Sequence, residues 1–273
     1  MIKQLPYRKA ITIRREIYTE GHSPLEIIAD DYKIYFIKSA QNQNPCFYII
    51  NEFLCHYLLK CWHIPTPSIA AISLDPILIH EGLSDRHKKH FYEQLCFGSQ
   101  SIKDPIDLNA FFNANSRPSL NRFLNPEILF KIALFDIWVE NDDRKPSNNN
   151  IILQPVKGKL NILALDHAFT FSSMGYLDLN SEFVASSFND TILLSAIGQS
   201  IKSKTKINKK WVKEANENFY LCISNCEKKF TKISKCIPEH FGFDLRLQEK
   251  LHSFLFNKER NKKVFEEFTT RLK

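Results

Sequence analysis

Long hydrophobic runs are missing from this sequence: no apolar stretch approaches the roughly 20 residues that a membrane-spanning helix needs. The basic stretch 1–16 contains no apolar core followed by a cleavage site, as a secretory signal peptide would. Internal repeats and low-complexity tracts are missing too. We therefore expect a cytoplasmic globular protein without a membrane partner. Its 273 residues, 44% of them hydrophobic, suffice to bury a full core.

Cysteine spacings typical of zinc sites or disulfide frameworks are also missing. The seven cysteines are an odd number in a chain large enough not to need disulfides, which favours reduced thiols. The spacings around Cys55–His56 and Cys61–His63 match no zinc pattern. Because apolar helix-forming residues surround them, we expect most cysteines to pack in the core. The seven are Cys46, Cys55, Cys61, Cys96, Cys222, Cys226 and Cys236.

Positive charge is concentrated near the C-terminus. The net charge of the chain is +7, whereas residues 201–273 hold 18 Lys and Arg against 9 Asp and Glu. An acidic or antitoxin-like partner, or nucleic acid, would be attracted to such a region. No nucleic-acid-binding motif accompanies the charge, so we favour solvated helix faces. The densest cluster comprises Lys202, Lys204, Lys206, Lys209 and Lys210.

The first 80 residues predict a small sheet with one helix inserted. Alternating apolar and polar residues predict strands over 11–38. Asn44–Pro45 is typical of a helix cap followed by proline at the first helical position, and apolar residues at spacings of three and four continue to about Trp62. Extended segments follow in "SIAAISL" and "ILIH".

Helical periodicity dominates after "CFGSQSI". One β unit interrupts it, in which two apolar runs are joined through Pro155 and Lys157–Gly158. This order predicts an α+β, bilobal, protein-kinase-like fold, with an N-lobe over 1–98, a C-lobe over 99–273 and a hinge near 96–99. One predicted helix, 84–95, lies before "CFGSQSI". The others cover 105–114, 125–140, 190–203, 207–233, 244–256 and 258–271.

The segment "NDDRKPSNNNIIL", residues 141–153, concentrates hydrogen-bonding groups before a strand. Pro146 prevents the preceding helix from continuing, so Asp143 and Asn148 belong to a loop. Asp166 follows the next strand, and a hairpin would return it towards them. Two carboxylates and an amide in this arrangement supply a hydroxyl-orienting base and oxygen ligands for Mg²⁺, as phosphoryl transfer requires. An ordinary capped turn is the alternative.

A lysine and a glutamate in the N-terminal part point to the same chemistry. Lys38 ends a predicted strand, and Glu52 lies on the predicted helix between two apolar stripes. A carboxylate on a helix covered from both sides requires a cation, and Lys38 is the nearest in sequence. Such a pair holds ATP phosphates in kinases. The alternative is a surface lysine unrelated to a solvated glutamate.

Five ordered segments between about Tyr18 and Phe171 resemble the HipA-like kinases, in particular the short members of that family. They are "TEGHSPLEIIADDYKIYFIK", "INEFLCHYLLKCWHIPTPSIAAISL", "CFGSQSI", "FDIWVENDDRKPSNNNIIL" and "LALDHAFTF". The resemblance implies that Asp143 is the catalytic aspartate, that Asn148 and Asp166 bind Mg²⁺, and that Lys38, paired with Glu52, contacts the ATP phosphates. It also implies a hinge at "CFGSQSI", where the backbone of Cys96, Phe97 and Gly98 reads the adenine edge.

Some positions depart from the usual kinase pattern. The loop "EGHSPLE" has one glycine, Gly21, so it is no Gly-x-Gly-x-x-Gly nucleotide cover. Ser23 in this loop resembles a serine that HipA relatives autophosphorylate, although a Ser-Pro turn explains it as well. His167–Ala168 follows the metal-binding aspartate instead of Phe-Gly. Asn150 is an alternative metal ligand to Asn148.

Taken together, these features predict an ATP- and Mg²⁺-dependent kinase that phosphorylates a hydroxyl, most simply Ser or Thr of a protein, with a HipA-toxin-like role. One alternative is a catalytically weak kinase-like module that regulates by binding nucleotide. The other is a non-enzymatic basic protein that uses residues 201–273 to bind nucleic acid or a partner.

Overall fold

The computed structural model describes residues 2–19, 23–114, 119–144, 148–171, 175–184 and 192–273. Gly21 lies outside the described residues, and so do residues 145–147 of the segment that carries Asp143 and Asn148. The start of the predicted helix 190–203 lies outside them as well. Strands dominate up to residue 107, and helices dominate afterwards apart from a β-hairpin. This distribution of strands and helices is the α+β class predicted from the sequence.

The N-terminal strands form a closed barrel. Their order is β1-β2-β3-β5-β4, and β1 closes the barrel by pairing in parallel with β4. The alternation of side chains places Leu25, Ile27 and Ile37 in the barrel core and leaves Phe36 and Lys38 on the opposite face. The strands are β1 (Tyr7–Glu16), β2 (Leu25–Ala29), β3 (Ile34–Lys38), β4 (Ile69–Ser73) and β5 (Cys96–Gln100).

The helix between β3 and β4 is α1, Phe47–Cys61. The predicted start, with Asn44 as the cap and Pro45 at the first helical position, is wrong. Cys46 precedes the helix, and its side chain makes no capping hydrogen bond. Its backbone N–H donates to the carbonyl of Phe241 at 2.9 Å, so a tertiary contact holds the helix entry. The helix is buried around most of its circumference, as its two apolar stripes predicted.

A second sheet holds the strands β6 (Ile106–Asp107), β7 (Ile151–Val156) and β8 (Lys159–Ala164) in that order. The predicted β unit is confirmed: β7 and β8 pair antiparallel around a turn at Lys157 and Gly158, both with positive φ. Their first and last residues, Ile151 and Ala164, are partners. The residues before β7 therefore lie beside those after β8.

The helices after β5 follow the predicted segments with shifted ends. The predicted helix over 207–233 is divided in two by a break after Glu227, and the helix predicted from residue 105 begins at Leu108 after a short strand. The helices are α2 (Leu108–Ala114), α3 (Ile128–Val139), α4 (Ala196–Lys204), α5 (Lys209–Glu227), α6 (Phe230–Ser234), α7 (Leu245–Leu255) and α8 (Lys258–Leu272). Short 3₁₀ turns cover Pro76–Leu78, Lys89–Tyr92, Leu120–Arg122, Tyr176–Asp178 and Glu239–Phe241.

The helix predicted over 84–95 is wrong, since only the 3₁₀ turn forms there. Tertiary hydrogen bonds replace the helical ones. The backbone N–H and the hydroxyl of Ser84 both donate to the Glu16 carboxylate, at 3.0 and 2.7 Å. His87 hydrogen-bonds the Tyr92 hydroxyl, and Tyr92 is buried in the barrel core. These contacts stabilise an irregular segment against the barrel.

The main core joins α1 and α3 to α5, α7 and α8. At its centre Trp62 stacks on Trp138, with ring centroids 5.3 Å apart, and Phe135 and Phe219 meet Trp62 edge-on. The cysteines are free thiols, and all are buried except the half-buried Cys236. Among the described helices, none combines the length and the apolar character needed to cross a bilayer.

Candidate functional site

Three charged side chains from distant parts of the chain meet at the edge of the barrel. Lys38, the last residue of β3, donates from Nζ to Glu52 Oε1 at 2.6 Å and to Asp166 Oδ1 at 2.9 Å. Glu52 projects from α1, and Asp166 follows β8. The second Glu52 oxygen accepts the backbone N–H of His167 at 3.1 Å. One ammonium group thus bridges two carboxylates.

Burial governs the charges of this cluster. Burial raises the pKa of Glu52 to about 7, although the Lys38 charge opposes the rise. Burial also favours protonation of Asp166, but Lys38 outweighs it and holds the pKa of Asp166 at about 2. The Lys38 side chain is desolvated, which would lower its pKa, yet the two carboxylates raise the pKa above its usual value. Lys38 and Asp166 therefore stay charged at neutral pH.

These three residues line an open cleft with an empty volume of about 660 Å³. Phe36 and Ser99, which pair across β3 and β5, line it as well. The cluster is therefore buried in protein on one side and reachable from the cleft on the other. This arrangement suits the binding of a charged ligand.

Asp143 lies on the loop after α3 and is contacted by both candidate asparagines. Asn148 and Asn150 each donate from Nδ2 to Asp143 Oδ2 at 3.1 Å. The backbone N–H of Asp143 donates to the side-chain oxygen of Asn141 at 3.2 Å. Each of the two asparagines keeps an amide oxygen that a cation can use, so the geometry does not choose between them.

Arg144 braces this loop from inside. Its side chain is 4% exposed and donates to Asp136 and to the carbonyls of Asn149 and Asn150. It also donates to Nε2 of His167 at 3.0 Å, which makes the buried imidazole an acceptor. Burial and the Arg144 charge hold the pKa of His167 well below its usual value, so the ring is neutral. These contacts tie the loop to α3 and to the segment after β8 through Arg144.

Asp136 is not among the residues predicted for the site, although the sequence contains a signal for it. It is the only carboxylate of α3, whose other side chains are apolar except for Lys131. A carboxylate in a helix buried on most sides requires a buried partner. Asp136 has two such partners: its carboxylate accepts hydrogen bonds from Arg144 Nε and, at 2.9 Å, from Asn141 Nδ2. It thereby anchors the loop of Asp143 to α3.

Backbone hydrogen bonds join the Asp143 loop to the segment that carries Asp166. The N–H of Leu165 donates to the Asn150 carbonyl at 3.1 Å, that of Asp142 to Phe169 at 3.0 Å, and that of Phe171 to Val139 at 2.7 Å. The loop and the segment after β8 therefore lie side by side, as the hairpin predicted.

Left-handed backbone conformations are concentrated in these two segments. Glu140, Asn150, Asp166 and Phe171 have φ values of 51, 48, 52 and 58°. Side chains other than glycine adopt this region at a cost, and such residues are often found at functional sites. The observation supports assigning chemistry to this part of the molecule.

Ser23 is buried beside the cleft-lining Pro24. Its hydroxyl donates to the Thr19 carbonyl at 3.3 Å and accepts from Arg86 Nη1 at 3.0 Å. Its exposure is 0%, so a phosphoryl group could reach the hydroxyl only if the loop moved outward.

Cys96, Phe97 and Gly98 lie inside β5, between β3 and β4. Phe97 pairs with Lys38 on one side and with Ala71 on the other. Gly98 likewise pairs with both strands, whereas Cys96 pairs with Ile72 of β4. The strand pairing of Phe97 and Gly98 therefore disfavours the predicted reading of an adenine edge by the backbone of 96–98. The first backbone beyond the strand begins at Ser101.

The oxygen ligands present fit a hard cation better than a soft one. Among the described residues, no three or more His, Cys, Asp and Glu side chains group as a metal site. The candidate set instead combines the Asp166 carboxylate, one-third exposed, with an asparagine amide oxygen. Few protein oxygens together with substrate phosphates are typical of Mg²⁺ sites.

Comparison with known proteins places this site in a family. A model of the HipA-like kinases matches residues 11–257, which is most of the chain. The chain belongs to the HipA-like kinase family. The family resemblance stated from the sequence is thus confirmed, and this HipA-like kinase carries the Lys38–Glu52–Asp166 cluster within the matched region.

Solved kinases are similar to this chain at low sequence identity. The proinflammatory kinase CtkA of Helicobacter pylori is similar at a TM-score of 0.54 and 12% identity, over 95% of this chain and 94% of that chain. The Golgi casein kinase gives 0.44 and 10%, over 99% and 74%, and its structure with Mn and ADP bound gives 0.39 and 12%, over 95% and 75%. A search of the curated proteins finds no match. The likeness to CtkA supports the kinase fold of this HipA-like kinase.

Proposed function

We propose that this HipA-like kinase binds MgATP in the cleft and transfers the γ-phosphoryl group to a hydroxyl, most simply Ser or Thr of a protein. The observation that carries the proposal is the Lys38–Glu52–Asp166 cluster, which lines the cleft and is joined through backbone hydrogen bonds to the loop of Asp143. Phosphoryl transfer depends on positioning and charge neutralisation, and this cluster offers both.

In this proposal Lys38 contacts the ATP phosphates and Glu52 holds its ammonium group in place. Asp166 and either Asn148 or Asn150 would hold Mg²⁺, which neutralises phosphate charge when bound. Asp143 accepts the proton of the acceptor hydroxyl. The hydroxyl oxygen forms a bond to the γ-phosphorus as the bond to the bridging β–γ oxygen breaks, and ADP leaves.

The positions of the sheets support a two-lobe arrangement, with the N-lobe over 1–98 and the C-lobe over 99–273. The hinge that reads the adenine edge is assigned to the residues after Ser101. Phe97 and Gly98 pair with both β3 and β4, and the N–H of Ser101 donates to the Ile34 carbonyl at 2.8 Å. Ser23 would lie close to the phosphates, since its neighbour Pro24 lines the cleft.

Family membership supports a protein acceptor and a cytoplasmic, toxin-like regulatory role. The exposed lysines of α4 and α5, including Lys204, Lys209 and Lys210, would suit an acidic or antitoxin-like partner.

Thermal unfolding with and without MgATP tests occupancy. Wild type should be stabilised only when both Mg²⁺ and ATP are present, and Asp166→Asn should lose most of this stabilisation because it lacks the charged ligand. Asp85→Asn, at an exposed aspartate, is the matched control and should respond as wild type does. Equal stabilisation of wild type and Asp166→Asn would contradict the metal assignment.

Transfer from γ-labelled ATP then separates an enzyme from a binding module. Asp143→Ala should keep MgATP stabilisation but lose transfer by at least about 100-fold, since general-base catalysis contributes about that much. ATP binding without transfer by wild type would favour the regulatory module. Salt-sensitive DNA binding that MgATP does not affect would favour the non-enzymatic alternative.

A further inference from the structure

The last helix, α8, lies beyond residues 11–257 that the family model covers, yet it contributes a fully buried charge. Arg260, near its start, has a relative exposure of 0%. Its guanidinium carbon lies 3.6 Å from the centroid of the Phe254 ring. Burying an arginine is costly unless its charge is compensated, so its partners indicate why it is there.

Those partners are at the end of α3, directly before the loop of Asp143. Arg260 Nη2 donates to the Trp138 carbonyl at 2.8 Å and to Glu140 Oε1 at 3.1 Å. The last carbonyls of a helix lack helical partners, and the C-terminal end of the dipole favours a cation. Arg260 therefore satisfies the end of α3 and neutralises Glu140, whose side chain is 9% exposed.

Glu140 is the residue at which the chain turns from α3 into the loop. It caps the helix in the left-handed conformation, with φ 51° and ψ 62°. A glutamate adopts this region only when its surroundings hold it there. From this turn Asn141 hydrogen-bonds back to Asp136, and its side chain accepts the N–H of Asp143.

A second set of contacts ties the same helix end to the α7–α8 corner. The carbonyl of Leu255 accepts from Trp138 Nε1 at 3.1 Å and from Asn261 Nδ2 at 3.0 Å. Asn257 caps α8 through the N–H of Arg260 at 2.9 Å. The position of the guanidinium is thus set by the corner as well as by its own helix.

We propose that α8 is a positioning element for phosphoryl transfer: Arg260 holds Glu140 in its left-handed turn and thereby orients the loop that carries Asp143. Arg260 is a positioning residue, since it acts through Glu140 and Trp138. The inference rests on the proposed kinase function for its effect on rate, but its effect on loop order is independent of that function.

The test uses the full chain and four variants. Arg260→Met removes the charge, Arg260→Lys keeps it on a shorter reach, and Arg260→Met with Glu140→Gly removes both charges and supplies a residue that adopts the left-handed turn readily. Lys262→Met, an exposed lysine on α8, is the matched control. Each variant is measured for transfer from γ-labelled ATP to dephosphorylated casein, for the KM of ATP, and for amide hydrogen exchange.

Arg260→Met should lower kcat at least tenfold and keep the KM of ATP within twofold of wild type. Its peptides covering 138–144 should exchange amide hydrogens at least tenfold faster than those of wild type, whereas the exchange of the β7–β8 hairpin should equal that of wild type. The double variant should recover at least a third of the wild-type kcat, Arg260→Lys should be intermediate, and Lys262→Met should match wild type.

An unchanged kcat in folded Arg260→Met, or faster exchange spread evenly over the whole chain, would overturn the proposal. If Arg260→Met does not fold, Arg260→Lys decides: a lower kcat together with faster exchange confined to 138–144 supports the proposal, and an unchanged kcat overturns it. The double variant should then fold and recover at least a third of the wild-type kcat. If wild type transfers no phosphate, the proposed kinase function fails, and the exchange of 138–144 alone decides the role of Arg260.

Discussion

Replacing Glu52 with glutamine should change how the stability of the protein depends on pH. Glu52 and Asp166 share one ammonium group, that of Lys38, so the cluster holds one carboxylate more than it has cations. Glu52 is the more buried of the two acids, with a side-chain exposure of 6% against 33% for Asp166. It therefore takes the proton more readily.

The magnitude follows from the pKa of Glu52. Burial raises it to about 7 in the folded protein from its usual 4.5. The folded state binds the proton more tightly, so this contribution to stability is complete below pH 4.5 and is lost as the pH rises through 7. The difference between the two values corresponds to about 3 kcal/mol. Glutamine does not titrate and escapes this loss.

Urea unfolding of wild type and Glu52→Gln, at half-unit steps from pH 4.5 to 8, measures the effect. The free energy of unfolding of the variant minus that of wild type should rise by about 3 kcal/mol over this range. Other titrating groups, such as the buried His56, are common to both proteins and cancel. Glu249→Gln, an exposed glutamate on α7, should give a flat difference. Parallel stability curves for wild type and Glu52→Gln would refute the reasoning.

Two further variants test the loop and the barrel. Arg144→Lys should lower phosphoryl transfer at least tenfold and the free energy of unfolding by about 3 kcal/mol. The reason is that lysine cannot reach Asp136, His167 and the loop carbonyls together. Unaltered kinetics in a labelled-ATP assay would contradict this expectation. Gly98→Ala should destabilise the fold by about 1 to 3 kcal/mol in urea, since its Cβ would lie 2.5 Å from Ile72 Cγ1. If this clash exists, Ile72→Ala should lower the free energy of unfolding less in the Gly98→Ala variant than in wild type. An equal loss in both backgrounds would contradict the clash.

Local patterns in the sequence were sufficient for β1 to β4 of the barrel, the β7–β8 hairpin and the burial of α1. Each depends on the preferences of neighbouring residues: alternation in a strand, glycine in a turn, apolar residues at spacings of three and four. Local patterns were not sufficient for β5, which was predicted as a hinge, or for the segment "ILIH", which was predicted as extended and overlaps a 3₁₀ turn. The spacing of Asp143 and Asn148 is likewise short-range, and it placed both on one loop. The hairpin predicted that the segment of Asp166 would return beside this loop, and the N–H of Leu165 donates to the Asn150 carbonyl.

Tertiary structure decided the features that depend on partners far along the chain. The segment 84–95 contains a 3₁₀ turn in place of the predicted α-helix, with Ser84 bound to Glu16, and the backbone of Phe97 and Gly98 pairs with two neighbouring strands. Lys38 and Asp166 are 128 residues apart, and Arg260 and Glu140 are 120 apart.

The sequence by itself determined which side chains are candidates for the chemistry and which element holds each. Only the folded chain decided which of them meet. It also decided that Arg144 contacts the loop from inside, and that Arg260, on a helix outside the family match, contacts Glu140 where the loop begins. The physical reason is that periodicity measures interactions between near neighbours. Buried charges are instead stabilised by whichever partner the packing brings within hydrogen-bond distance.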